Sequence, residues 1–285
     1  MVSTGQPSPR ERVIAAALAQ VTAGGLAVSL DHISLEEVIT ASGVSRATAY
    51  RVWSNKQEFL ADVMVAAVRA TTLEVDSPRE VEHVLELVEG NPDLATDPAL
   101  RRHVVVDGLR VSVQADLERM VTSTRWATYL ALSATARGLP DGGLRTEVTS
   151  ALAQAERQFS AHRVSVYARL PRLLGYRLVP PLDAANGFEV MAEAAGALMT
   201  GFVVKIASRP ALLEDTFALA AFGAGELEWT MPGFALTGML LSYLEPDPEI
   251  AWDEAQVARF RATLAEITGI LDRAWAASGA RDGAQ

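Results

Sequence analysis

Residues 34–60 read SLEEVITASGVSRATAYRVWSNKQEFL, and the fold turns on how this stretch divides. Ser34 and Glu37 stand at the spacing of a capping box, in which a hydroxyl and a carboxylate satisfy backbone N–H groups at a helix start. Leu35, Val38 and Ile39 then form the buried face of a short helix. Gly43 follows where a sharp turn needs a residue free to adopt positive φ, and Ser45 is placed to cap the next helix. At about 100° per residue, Ala49, Val52 and Trp53 share one core-facing arc. The opposite arc carries Arg46, Ala47, Thr48, Tyr50 and Arg51, with no apolar partner in its own pattern. A further helix restarts after Trp53, capped either by Ser54 with Gln57 or by Asn55 with Glu58. Phe59, Leu60, Val63, Met64 and Ala67 supply its apolar face. Two short helices about a glycine turn, the second with an outward polar face, have the shape of a helix-turn-helix that offers its second helix to the DNA major groove.

Upstream, Ser8-Pro9-Arg10-Glu11 forms another capping box. Val13, Ile14, Ala17, Leu18 and Val21 recur at helical spacing until Gly24-Gly25, and residues 26–33 form a loop. Downstream of about residue 72, breaker clusters separate helical patterns expected over 79–89, 98–122, 124–136, 144–174, 188–207, 211–228, 233–244 and 252–277. No sustained period-two alternation and no internal repeat stand out. The expected fold is all-α: an N-terminal helix-turn-helix domain over 1–72 and a larger helical domain over 73–285.

Composition narrows the function classes. The chain has 285 residues, 49% of them hydrophobic, which suffices for a substantial core. It contains no cysteine, so disulfide frameworks and thiolate metal sites are excluded. The net charge is −10, yet residues 1–70 carry six Lys/Arg and six Asp/Glu, so the whole excess lies beyond them. A neutral unit binds polyanions only through a few cations gathered on one face. MVSTGQPSPRERV lacks an apolar leader core, and the apolar runs 190–206 and 217–244 are broken by Glu193, Lys205, Glu226, Glu228 and Pro232; a cytoplasmic protein without a membrane span is expected. His83, His103 and His162 are scattered, and Gly223-Ala224-Gly225 lacks the third glycine and preceding strand of a dinucleotide fingerprint. No P-loop or G-x-S-x-G elbow occurs. No metal, cofactor or catalytic constellation is expected.

The run from Ser34 through Gly43-Val44-Ser45, Thr48, Tyr50 and Ser54-Asn55-Lys56-Gln57-Glu58 is similar to the DNA-binding segment of TetR-type transcriptional repressors, over about fifty residues. Ile39 and Ser42 replace the usual small alanines, Trp53 the usual phenylalanine, and Val21 an aromatic in the first helix; larger Ile39 and Trp53 with smaller Val21, Ala49 and Ser42 conserve core volume. The loop before Ser34 is longer than usual. The resemblance implies that Tyr50 and Lys56 clamp DNA phosphates. Lys56 fits this chemically, because a cation in a first helical turn opposes the macrodipole and an arriving anion relieves the mismatch. Ser34 and Ser45 mark two helix N-termini suited to phosphate, though each also reads simply as a cap. Arg46, Ala47, Thr48 and Arg51 are the candidates for base edges.

The resemblance further implies a homodimer on a palindromic operator, a repressor released by a small-molecule effector, and dimerisation through the helices at 188–207 and 252–277. In those helices Val190, Met191, Ala194, Leu198, Phe202 and Ile206, and Val257, Phe260, Leu264, Ile267, Leu271 and Trp275, form stripes that equally suit an internal core. Trp126, Tyr129, Tyr167, Met199, Trp229 and Met239 are the apolar candidates for an effector pocket, and each equally reads as core packing. Two rival readings stand beside this one: a helical enzyme, and an interaction module that does not bind DNA.

Overall fold

Helix α1 (Pro9–Gly24) begins on the expected capping box: the Ser8 N–H donates to Glu11 Oε2 at 2.7 Å, and the Glu11 N–H donates to Ser8 Oγ at 3.2 Å. The Ser8 backbone N–H first, and then its side chain, favour the ionised carboxylate and hold the Glu11 pKa below the usual range. The structure, a computed structural model, describes residues 7–24, 33–70, 78–168 and 170–282. Residues 26–32 of the long loop lie outside the described residues. The next elements are α2 (Leu35–Ser42), α3 (Arg46–Val52), α4 (Lys56–Ala70), α5 (Pro78–Glu89), α6 (Pro98–Thr122), α7 (Thr124–Gly138) and α8 (Gly143–Tyr167). The chain is mostly helical, as its periodicity implies.

The apolar faces of α1 to α4 close on one core. Val13 and Ala17 of α1 meet Leu35, Val38 and Ile39 of α2, Ala49 of α3, Trp53, and Phe59 and Val63 of α4. Val21, Ile39, Ala49 and Trp53 lie in this cluster, where large and small residues can offset one another, whereas Ser42 is half-buried outside it. Val52 departs from its expected place and is 40% exposed. It is the last residue of α3, and the chain becomes extended at Trp53 (φ −123°, ψ 113°), which is buried as expected.

Helix α4 has a second apolar face. Met64, Val65, Ala67 and Val68 pack with Leu132 and Ala136 of α7 and Val148 and Ala151 of α8. The chain accordingly forms two compact units that are discontinuous in sequence: Met1–Leu73 with Ser123–Phe159, and Glu74–Thr122 with Ser160–Gln285. The expected division, 1–72 followed by an unbroken 73–285, does not assign residues 123–159 in this way. Periodicity identifies an apolar helix face but not the helix that covers it.

The second unit contains α5, α6, α9 (Leu170–Leu173), α10 (Gly187–Ser208), α11 (Ala211–Glu214), α12 (Met231–Ser242) and α13 (Glu254–Asp282). Helix α13 packs against α5, while α12 packs against α6 and α10. The segment expected to be helical over 211–228 is mostly a hairpin, with β2 (Thr216–Ala220) antiparallel to β3 (Glu226–Thr230) in the register Phe217–Trp229 and Leu219–Leu227. Its alanines favour a helix by propensity. The reversal at Phe222 (φ 56°) and Gly223 (φ 82°), with Trp229 packed edge-on to Phe222 and Phe234, overrides that preference. Helix α8 likewise stops at Tyr167, short of 174, and β1 (Tyr176–Leu178) pairs with β4 (Leu244–Pro246).

Two interactions knit this unit. Buried Asp107 accepts from Arg110 Nε at 2.7 Å and lies 3.2 Å from His83 Nε2, while Arg110 Nη1 donates to the Glu228 carbonyl at 3.1 Å; α5, α6 and β3 meet there. Arg102 donates to the Phe222 carbonyl at 2.6 Å and to the Tyr176 hydroxyl at 3.0 Å. Helix α10 is long and apolar enough, by length and composition, to cross a membrane. Met191, Ala195, Met199, Phe202 and Ile206 on one side of it are buried within the unit. Val190, expected in that stripe, is instead 46% exposed, and Ala194 and Leu198 are half-buried. In α13, Val257, Phe260 and Leu264 are buried and Ile267 is half-buried, while the side chains of Leu271 and Trp275 lie outside the described residues.

Candidate nucleic-acid interface

The exposed face of α3 is set by how its other face is anchored. Gly43 adopts φ 65° and ψ 18°, a left-handed conformation that lets the chain reverse between α2 and α3. Ser45 then caps α3: its Oγ accepts from the Thr48 N–H at 3.2 Å and lies 2.8 Å from Thr48 Oγ1. At the other end the Trp53 indole N–H donates to Asp62 Oδ2 at 2.8 Å, and its ring stands edge-on to Phe59 at 5.4 Å. Asp62 also receives Arg10 at 2.8 Å, so α1 and α4 both brace the tryptophan that ends α3.

With Ala49 and Trp53 held inward, Arg46, Ala47, Tyr50 and Arg51 are exposed and Thr48 is half-buried. These five expected positions come together on one surface. Tyr50 is 45% exposed, which is uncommon for an aromatic that could have packed inward. Arg51 Nη2 lies 3.5 Å from Thr48 Oγ1, at the limit of a hydrogen bond.

The flanking positions are helix starts, as expected. Ser34 Oγ accepts from the Glu37 N–H at 3.4 Å, and Lys56 is the exposed first residue of α4. The cap of α4 follows the Asn55–Glu58 alternative, with Ser54 also bonding Glu58. The Glu58 N–H donates to Asn55 Oδ1 at 2.9 Å, and the Glu58 carboxylate returns to Ser54, accepting from its hydroxyl at 2.8 Å and its N–H at 2.9 Å. Those two Ser54 bonds, the hydroxyl first, hold the Glu58 pKa below the usual range.

One participant was absent from the sequence expectations. Glu36, on α2, accepts the Tyr50 hydroxyl proton at 3.0 Å and forms an ion pair with Arg46. Nothing in the periodicity of either helix signals this contact, because it depends on the angle at which α2 and α3 meet. Arg46 therefore stands against a carboxylate on the same surface. The surface is polar, and the charge of Arg46 is offset there by Glu36.

The six effector-pocket candidates fall into different units. Trp126 and Tyr129 are buried in the first, where Trp126 packs edge-on to Tyr129 and Phe159, and Tyr129 donates to Glu156. The rest belong to the second. Met199 Sδ lies 2.8 Å from Arg163 Nη2, Trp229 is fully buried with its N–H on the Leu219 carbonyl at 2.9 Å, and Met239 is half-buried. An open cavity of about 550 Å³ in the second unit is lined by Ala168, Arg172, Leu173, Ile250, Gln256 and Thr263. Among the described residues its lining includes no aromatic and no methionine, so a search for those residue types does not reach it. Among the described residues, no three His, Asp or Glu side chains gather as a metal site would require.

Tyr167 supplies a pH prediction. Desolvation is the main influence on its hydroxyl and the nearby charge of Asp116 adds to it; against the opposing effect of Arg163 they leave a pKa pushed up from 10.0 to about 12. The folded protein keeps this proton up to about pH 12, whereas the unfolded chain begins to lose it near 10.0. Its stabilising effect is therefore intact below pH 10.0 and disappears as the pH rises towards 12. Tyr167→Phe is expected to lose less stability than wild type between about pH 9 and about pH 11, read from urea midpoints.

A scan of protein-family models finds none that matches the chain, and a search of curated proteins finds no match.

Proposed function

We propose that the chain is a DNA-binding transcriptional regulator of the TetR type: a repressor that binds a palindromic operator as a homodimer and is released by a small molecule. The observation that carries the reading is the α2–Gly43–α3 arrangement. Buried Ala49 and Trp53 fix one side of a short helix and leave Arg46, Ala47, Tyr50 and Arg51 together on the other. A capped, rigidly braced helix with a basic and aromatic outer face is what entry into a major groove requires. In this reading α2–turn–α3 is a helix-turn-helix, with Tyr50, Lys56, Ser34 and Ser45 on phosphates and Arg46, Ala47, Thr48 and Arg51 at base edges.

Helix α4 gives release a physical route. Phe59 and Val63 belong to the core that seats α3, while Met64, Val65 and Val68 belong to the α7–α8 cluster. Effector binding that repacks α7 or α8 shifts α4, and with it the spacing of two recognition helices in a dimer. Because both must enter one face of the duplex, a small change in spacing releases the operator.

Mobility shifts on the region upstream of the chain's own gene test the reading, with retardation expected that weakens as salt rises. Replacing Arg51 by alanine is expected to cost about 1–3 kcal/mol at one base position while leaving binding to unrelated duplexes nearly unchanged. Competition with operators substituted one base at a time measures this.

A further inference from the structure

Glu36 holds two of the proposed contact residues at once. Its carboxylate takes the Tyr50 hydroxyl proton at 3.0 Å and pairs with the Arg46 guanidinium. A phenol has a single O–H to donate, so Tyr50 cannot bond Glu36 and donate to a phosphate together. Arg46 has five N–H donors and loses less to the pairing, but its charge is offset wherever Glu36 stays beside it. The Arg46 side chain is 71% exposed and that of Glu36 is half-buried, at 46%. Such a contact is weak enough to be displaced. A phosphate approaching Tyr50 meets a fixed negative charge and must compete for the same proton.

The competition does not weigh equally on all duplexes. On a random sequence the protein gains only phosphate contacts, and Glu36 opposes them. On a sequence that places a guanine against Arg46, the bidentate base contact offsets the lost ion pair. We propose that Glu36 is a specificity-determining residue of this interface: it competes with DNA phosphate for Tyr50 and Arg46, and so suppresses binding to duplexes that lack the right bases. The inference rests on the DNA-binding reading above.

The test uses the full chain, a fluorescent duplex of random sequence and a duplex obtained by selection, titrated by anisotropy over a salt series. Glu36→Gln removes the charge; Glu36→Asp keeps the charge but withdraws it by one methylene. Unfolding midpoints of both should lie close to wild type, since an ion pair with one well-exposed partner contributes little to stability. For Glu36→Gln, affinity for the random duplex is expected to rise about fivefold at low salt. Its plot of log affinity against log salt should steepen by about 0.9, as Arg46 gains a phosphate. The selected duplex should gain less, so the ratio of the two affinities falls, and Glu36→Asp should lie between. Weaker binding by Glu36→Gln would show that Glu36 supports Tyr50 and Arg46 rather than competing for them, and overturn the inference. An unchanged affinity and slope would overturn it as well. If wild type and both variants bind neither duplex, the DNA-binding reading fails, and this inference with it.

Discussion

Alanine at both Tyr50 and Lys56 is expected to weaken binding to every duplex by about 10²- to 10⁴-fold at moderate salt. A hydrogen bond to a charged group contributes roughly 1.5–3 kcal/mol, and each variant removes one such contact with phosphate. The structure makes these residues separable from the fold. Tyr50 is 45% exposed and Lys56 is exposed at the start of α4, and neither belongs to the α1–α4 core. The double variant should therefore unfold at nearly the wild-type urea midpoint while its affinity collapses. The loss of Lys56 should also make the salt dependence shallower by about 0.9 in slope. Anisotropy titrations at several salt concentrations report both quantities, and undiminished affinity would remove the phosphate assignment.

Trp53→Ala is expected to have the largest effect on the fold itself. Trp53 is 2% exposed, packs edge-on to Phe59 and donates to Asp62, which also receives Arg10. Truncation opens a cavity in the core that joins α1 to α4 and removes one donor from a carboxylate shared by two partners. Comparable large-to-small changes of aromatic residues cost about 3–5 kcal/mol. Because Trp53 ends α3, DNA binding should fall with stability. Chemical denaturation followed by far-ultraviolet circular dichroism measures the cost. Trp53→Phe, which keeps an aromatic ring but loses the N–H to Asp62, should recover most of it.

Much of this architecture was legible in the sequence because the governing interactions are local. The capping box at Ser8, the N-cap at Ser34, the turn at Gly43 and the arc of Arg46, Tyr50 and Arg51 each involve residues a few positions apart and follow from helix geometry. Where the decisive contact is distant, the sequence is silent. The hairpin at 216–230 rests on Trp229 packing with Phe222 and Phe234, which outweighs a run of alanines. The pairing of α4 with α7 and α8 depends on which apolar faces meet, and periodicity alone does not say. Glu36 shows the same limit at the interface. It is ten residues from Arg46 and fourteen from Tyr50, and only the crossing of α2 with α3 brings them together. Val52, the last helical residue of α3, is exposed although the helical wheel places it beside Ala49 and Trp53, and nothing local to the sequence signals that.

The central claim is that the Arg46–Arg51 face of α3 reads DNA in pairs. Repeated selection of duplexes from a random pool by the intact chain tests it most directly, because it reports sequence and symmetry together. The account predicts enrichment of an inverted repeat whose half-sites are recognised alike, with a guanine in each half-site that loses its preference when Arg46 or Arg51 is replaced by alanine. A pool that remains random after repeated rounds, with the folded protein present throughout, would contradict it.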